Sequence, residues 1–153
     1  MTETELQKLA RERTASHPRR LSKNAAIRSD NDYIGIIAEK VVADYLHLPI
    51  QDYITPGKTD PGYDFVTENG IKIDVKGTDL VKGNLLVPCD SKMTADVYVF
   101  VVVDKSTESG TIIGWALHQE VVAAPKKDFG RKDRGAVYFV HTSKLHPVET
   151  MPK

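Results

Sequence analysis

The chain predicts an α/β or α+β fold with a central mixed β-sheet flanked by helices, and three observations carry that prediction. Residues 31–47 place apolar side chains at helical spacing, 60–77 reads as two strands and a turn, and Val97-Tyr98-Val99-Phe100-Val101-Val102-Val103 is an unbroken apolar run of strand length. Strands fill the middle and helices lie at the ends. A chain of 153 residues holds one core of ordinary size.

Residues 2–16 read as a charged helix whose apolar contacts are chiefly Leu6 and Leu9, followed by a loop over 17–30. The next helix, 31–47, has Asn31 or Asp32 as its N-cap. Its stripe is Ile34, Ile37, Ala38, Val41, Val42, Tyr45 and Leu46, with Lys40, Asp44 and His47 on the polar side. After the hairpin come a short strand at 84–88, a buried central strand at 95–104, and a polar turn at 105–110. A returning strand at 111–117, a short helix at 118–124, a basic loop at 125–135 and a last strand at 136–141 complete the chain. The natural division is an amino-terminal helix and basic arm, 1–30, before a main domain, 31–150.

The hairpin's register decides which side chains meet, because a one-residue slip moves every strand side chain to the other face. A two-residue Asn69-Gly70 turn would oppose Phe65 to Asp74 and mix polar with apolar positions. A three-residue loop, Glu68-Asn69-Gly70 with a left-handed Gly70, opposes Asp64 to Asp74 and Phe65 to Ile73. It also sorts Tyr63, Phe65, Ile71, Ile73 and Val75 onto one face, and Asp64, Asp74 and Lys76 onto the other. The clean separation favours the longer loop.

Opposed strand residues have Cβ atoms roughly 4.5–5.5 Å apart, a spacing at which two carboxylates destabilise the pair unless something neutralises them. Mg²⁺ would do so, with Mn²⁺ as a substitute, since both are hard ions that prefer oxygen ligands and keep open positions. Lys76 points at the same place. The plainer alternative is a solvated face on which Lys76 only pairs with Asp74. Glu39 lies on the margin of the helical stripe beside Gly35, Ala43 and Leu46, so its carboxylate is partly desolvated and must find a partner. Gly35, one turn earlier, would leave room for a close approach.

Helix Glu39, then Asp64, then Asp74-Val75-Lys76 resembles the PD-(D/E)XK nuclease superfamily, the restriction-endonuclease-like fold, over roughly residues 31–117. The resemblance implies Asp64 and Asp74 as Mg²⁺ ligands, the Val75 carbonyl as a further ligand and Lys76 acting on the attacking water. Glu39 would be an outer or second-metal ligand. The family's proline is displaced, because Tyr63 precedes Asp64 and Pro61 lies further back.

Formal charge is zero, 21 Lys+Arg against 21 Asp+Glu, so no global basic field marks a nucleic-acid partner. Distribution says more. Arg19, Arg20, Lys23 and Arg28 in the amino-terminal stretch, with Lys126, Lys127, Arg131, Lys132 and Arg134 in the basic loop, flank an acidic centre as a phosphate backbone crossing a metal site would require.

Several other signals fail. Gly57-Lys58-Thr59 lacks the earlier glycine of a phosphate loop, the five histidines form no zinc-ligand spacing, and Cys89 is alone. Trp115 fits a core strand better than a stacking platform, and Gln119 is at most an extra polar contact. No signal peptide or bilayer-spanning run is apparent, which points to an intracellular, cytoplasmic protein with no membrane partner. The expected activity is a Mg²⁺-dependent deoxyribonuclease, an endonuclease hydrolysing DNA phosphodiester bonds. Two alternatives are a junction-specific resolvase of the same fold, which would need a homodimer presenting two sites, and a module of that fold that binds nucleic acid or protein without cutting.

Overall fold

Residues 2–16, 25–50, 61–130 and 135–153 are described by the computed structural model, and the first of its elements begins at a reciprocal cap. The Thr4 hydroxyl accepts from the Gln7 N–H at 3.1 Å while the Gln7 side chain accepts from the Thr4 N–H at 2.9 Å, which starts helix α1 (Glu5–Ser16). Helix α2 (Ala25–Leu46) is longer than the expected 31–47, and neither Asn31 nor Asp32 caps it. Asp32 is instead buried inside the helix, accepting from the Thr14 hydroxyl of α1 at 2.6 Å. A tertiary partner has taken the carboxylate that sequence alone would assign to a cap. The division proposed at residue 30 falls within α2. The helix ends where His47 adopts a left-handed φ of 58° and the Leu48 N–H reaches the Ala43 carbonyl at 2.9 Å.

The chain continues through β1 (Phe65–Val66), β2 (Lys72–Thr78), β3 (Leu85–Pro88), β4 (Val97–Asp104), β5 (Ser109–Leu117), α3 (His118–Val122), β6 (Lys126–Lys127) and β7 (Val137–Val140). Four of the strands form a mixed sheet in the order β1-β2-β4-β5, in which only the β2–β4 pairing is parallel. The predicted fold class, a mixed sheet flanked by helices, is the fold observed. Phe65 opposes Ile73 and Gly70 has φ 82°, so the hairpin has the three-residue loop and the register that sorts its faces.

Strand β4 is central and apolar on both sides, as its unbroken run requires. Val97, Val99, Val101 and Val103 face α2, where they pack with Ile34, Ile37, Ala38 and Val42. Tyr98 and Phe100 face the opposite way, into a second core with Leu85, Val87, Val121 and Val140. A fully buried valine of this kind contributes about 1.5–3 kcal/mol. The second core belongs to a separate three-stranded sheet, β3-β7-β6, absent from the single-sheet expectation. Its weakest strand, β6, falls in the expected basic loop, where Lys126 and Lys127 pair with Tyr138 and Val137 and lie over the Tyr138 and Phe139 rings. Tyr63 is a further correction. The pleat ends at Asp64, so Tyr63 does not follow Phe65 onto the α2 face and packs against the second core.

Close approach of α2 to the sheet depends on Gly77 rather than Gly35. A Cβ at Gly77 would stand 2.7 Å from the Ala38 Cβ, whereas one at Gly35 meets nothing within 4 Å. Gly77→Ala should therefore cost about 1–3 kcal/mol in urea unfolding. An unchanged midpoint would show that α2 is not pressed against β2 there.

Candidate functional site

Strand β1 leaves β2 just where the acids gather. The Asp64 N–H still donates to the Ile73 carbonyl at 2.8 Å, but its side chain turns to accept from the Val75 N–H at 2.7 Å. Asp64 thus lies at the edge of the sheet and can reach both of its faces. On one side its carboxyl neighbours Glu39 of α2, and on the other Asp74 of β2. Glu39, Asp64 and Asp74 form a row across the sheet edge. The residue Asp64 keeps some surface while its carboxyl is enclosed by these partners.

A cation closes each end of the row. Lys76 Nζ lies 3.0 Å from Asp74 Oδ2, as the shared strand face predicts. Arg13 Nη1 of α1 lies 2.8 Å from Glu39 Oε2, and the side chains of that pair are only 14% and 7% exposed. Arg13 was not among the site residues expected from the sequence. The signal was present, because Arg13 follows Leu6 and Ala10 at helical spacing and so faces α2 with them.

Burial dominates the electrostatics. Burial, the Glu39 charge and the hydrogen bond with Glu39 hold Asp64 well above the usual carboxylate range, against the opposing pull of the Val75 N–H and Asp74. Asp74 is pushed up to about 7, first by burial and then by the Asp64 charge, although Lys76 pulls it down. Burial works against the Arg13 charge too, yet the Glu39, Asp64 and Asp32 carboxylates outweigh it and raise its pKa.

Because both aspartate shifts are upward, the folded protein holds these protons more tightly than the unfolded chain does. The stabilising effect of both is complete below pH 3.8, and the Asp74 share is lost as pH rises through about 7. Without divalent cations, thermal unfolding should therefore show a lower midpoint at about pH 8 than at about pH 6. A midpoint that is equal or higher at the upper pH would contradict the buried-acid assignment.

Among the described residues, no three histidine, cysteine, aspartate or glutamate side chains are spaced to hold a metal ion. The observed contacts of the row are the Val75 N–H on Asp64, Arg13 on Glu39 and Lys76 on Asp74. Two all-oxygen donors whose ionised forms are suppressed by burial suit a hard divalent cation, whose charge would favour ionisation. The Val75 backbone fits as well. Its N–H is turned to Asp64, and the carbonyl of a strand residue points to the same side as its N–H.

Beside Lys76 opens a cavity of about 490 Å³, lined by Asn31, Gly35, Gly77, Thr78, Leu86 and Phe100. A larger cleft of about 970 Å³ lies between α1 and the β4–β5 turn and contains none of the acidic row. Of the expected basic contacts, Lys126 and Lys127 are exposed on β6. Arg19, Arg20, Lys23, Arg131, Lys132 and Arg134 lie outside the described residues, as does the side chain of Arg28. Trp115 is a core residue whose indole N–H donates to the Pro147 carbonyl at 2.8 Å. Gln119 is exposed on α3. Among the described residues, no helix is long and apolar enough to cross a membrane. No protein-family model matches this chain, and no curated protein matches it in sequence.

Proposed function

We propose that the protein is a Mg²⁺-dependent deoxyribonuclease, an endonuclease of the restriction-endonuclease-like type. One observation carries the reading: three carboxylates from a helix, a strand end and a neighbouring strand converge at one sheet edge, with a lysine two residues after the last. Carboxylates so placed are costly to a fold, and a structural role would be met by fewer of them. A bound Mg²⁺ would polarise a scissile phosphate and make a water more acidic, the chemistry that phosphodiester hydrolysis needs.

The chain's own residues supply the rest. Asp64 and Asp74 would hold the ion, and the Val75 carbonyl would complete the protein's share of ligands. Lys76 is salt-bridged to Asp74 and faces the adjoining cavity, where its ammonium can orient the attacking water and offset negative charge building on the phosphate. Glu39 keeps Asp64 turned into the row. DNA would cross this edge with Lys126 and Lys127 among its phosphate contacts.

The test is incubation with supercoiled, linear, single-stranded and branched DNA in Mg²⁺, Mn²⁺ or chelator. Cleavage that needs the divalent ion supports the reading, and its absence on every substrate overturns it.

A further inference from the structure

Resting on that reading and naming its substrate, we propose that the outer face of the second sheet carries a single-stranded arm of DNA away from the lysine, with a base stacked on Phe129. The path starts at the cavity beside Lys76, where Leu86 forms part of the wall. Leu86 of β3 opposes Phe139 of β7, and opposed residues of an antiparallel pair share a face. Their neighbours Leu85, Val87, Tyr138 and Val140 fill the second core, so Leu86 and Phe139 point away from it. The Phe139 ring lies 6.4 Å from that of Phe129, which is 53% exposed. Lys127 Nζ stands 3.9 Å from the centre of the Phe139 ring. An aliphatic side chain, two aromatic rings and a cation thus lead outward from the lysine cavity.

The turn that presents Phe129 is built. Gly130 takes a left-handed φ of 72°, and its N–H donates to Asp128 Oδ1 at 2.8 Å. A ring held half in water forgoes much of the burial that stabilises an aromatic side chain in a core. A nucleobase laid on it recovers that burial, and Lys127, one ring away, is placed to meet the adjoining phosphate. Every base has a π-face, but in a duplex the neighbouring base pairs cover it. The surface therefore selects unpaired nucleotides, and the substrate class is DNA with a single-stranded arm beside the cut.

The test is fluorescence anisotropy of labelled oligo-dT, and of a labelled duplex of the same length, titrated with the full chain in chelator. Phe129→Ala should weaken oligo-dT binding about 10–100-fold and change duplex affinity less than about twofold. Phe129→Leu keeps an apolar side chain against Phe139 and should lose most of the same affinity, whereas Phe129→Tyr should retain it. Lys127→Gln should weaken oligo-dT binding and lower its log–log salt slope by about 0.7. Oligo-dT affinity unchanged in Phe129→Ala or Phe129→Leu would overturn the proposal. An equal loss on duplex would also overturn it, since the ring would then only support the basic loop. Neither result bears on divalent-dependent cleavage, so the nuclease reading would stand; failure of that reading shows instead as absent cleavage, with these affinities intact.

Discussion

Asp64→Asn and Asp74→Asn should each reduce DNA cleavage on the order of 10³-fold or more, because each removes charge from a direct ligand of the proposed ion. Asparagine keeps a side-chain oxygen, so the Val75 N–H that now donates to Asp64 at 2.7 Å retains an acceptor. The fold should survive. In chelator at about pH 8 the Asp64→Asn protein should unfold no lower than the wild type, since burial already holds that carboxyl well above the usual range and the amide has no charge to desolvate. Loss of activity with stability kept separates a chemical role from a structural one. Wild-type cleavage rates in either variant would refute the ligand assignment.

Lys76→Met should lower cleavage about 10²–10³-fold while leaving divalent-ion binding in place. Methionine preserves most of the aliphatic stem, which lines the cavity together with Phe100 and Leu86, and removes only the ammonium. Ion affinity should rise, because one positive charge beside Asp74 is gone. Steady-state rates and Mn²⁺ titration on the same preparation check both halves. Full activity would reduce Lys76 to a partner for Asp74, and lost ion binding would mean that the lysine organises the row rather than acting on the substrate.

The hairpin was legible because its pattern admits one register that separates apolar from charged residues, and Phe65 opposite Ile73 is that register. Glu39 was legible for a related reason, since a lone acid on the margin of an apolar stripe must find a partner in the fold. The central strand could be read from its run of valines. What lay beyond the sequence was tertiary. Asp32 looks like a helix cap until Thr14 arrives from another helix, and two lysines in a basic loop look solvated until β7 offers them a strand partner and two aromatic rings. The second core that covers the face of Asp74 through Tyr98 and Phe100 was not legible, and burial is the first cause that pushes the Asp74 carboxyl up. Gly77 was not legible as the point where α2 meets the sheet, because strand and helix meet there through residues far apart in the chain.

The most direct measurement is a crystal of the protein grown with Mn²⁺ and examined by anomalous scattering. A peak touching the Asp64 and Asp74 carboxylates and the Val75 carbonyl is the expected result. A protein that cleaves DNA under the same conditions but carries no peak at that edge would contradict the assignment of this row as the metal centre.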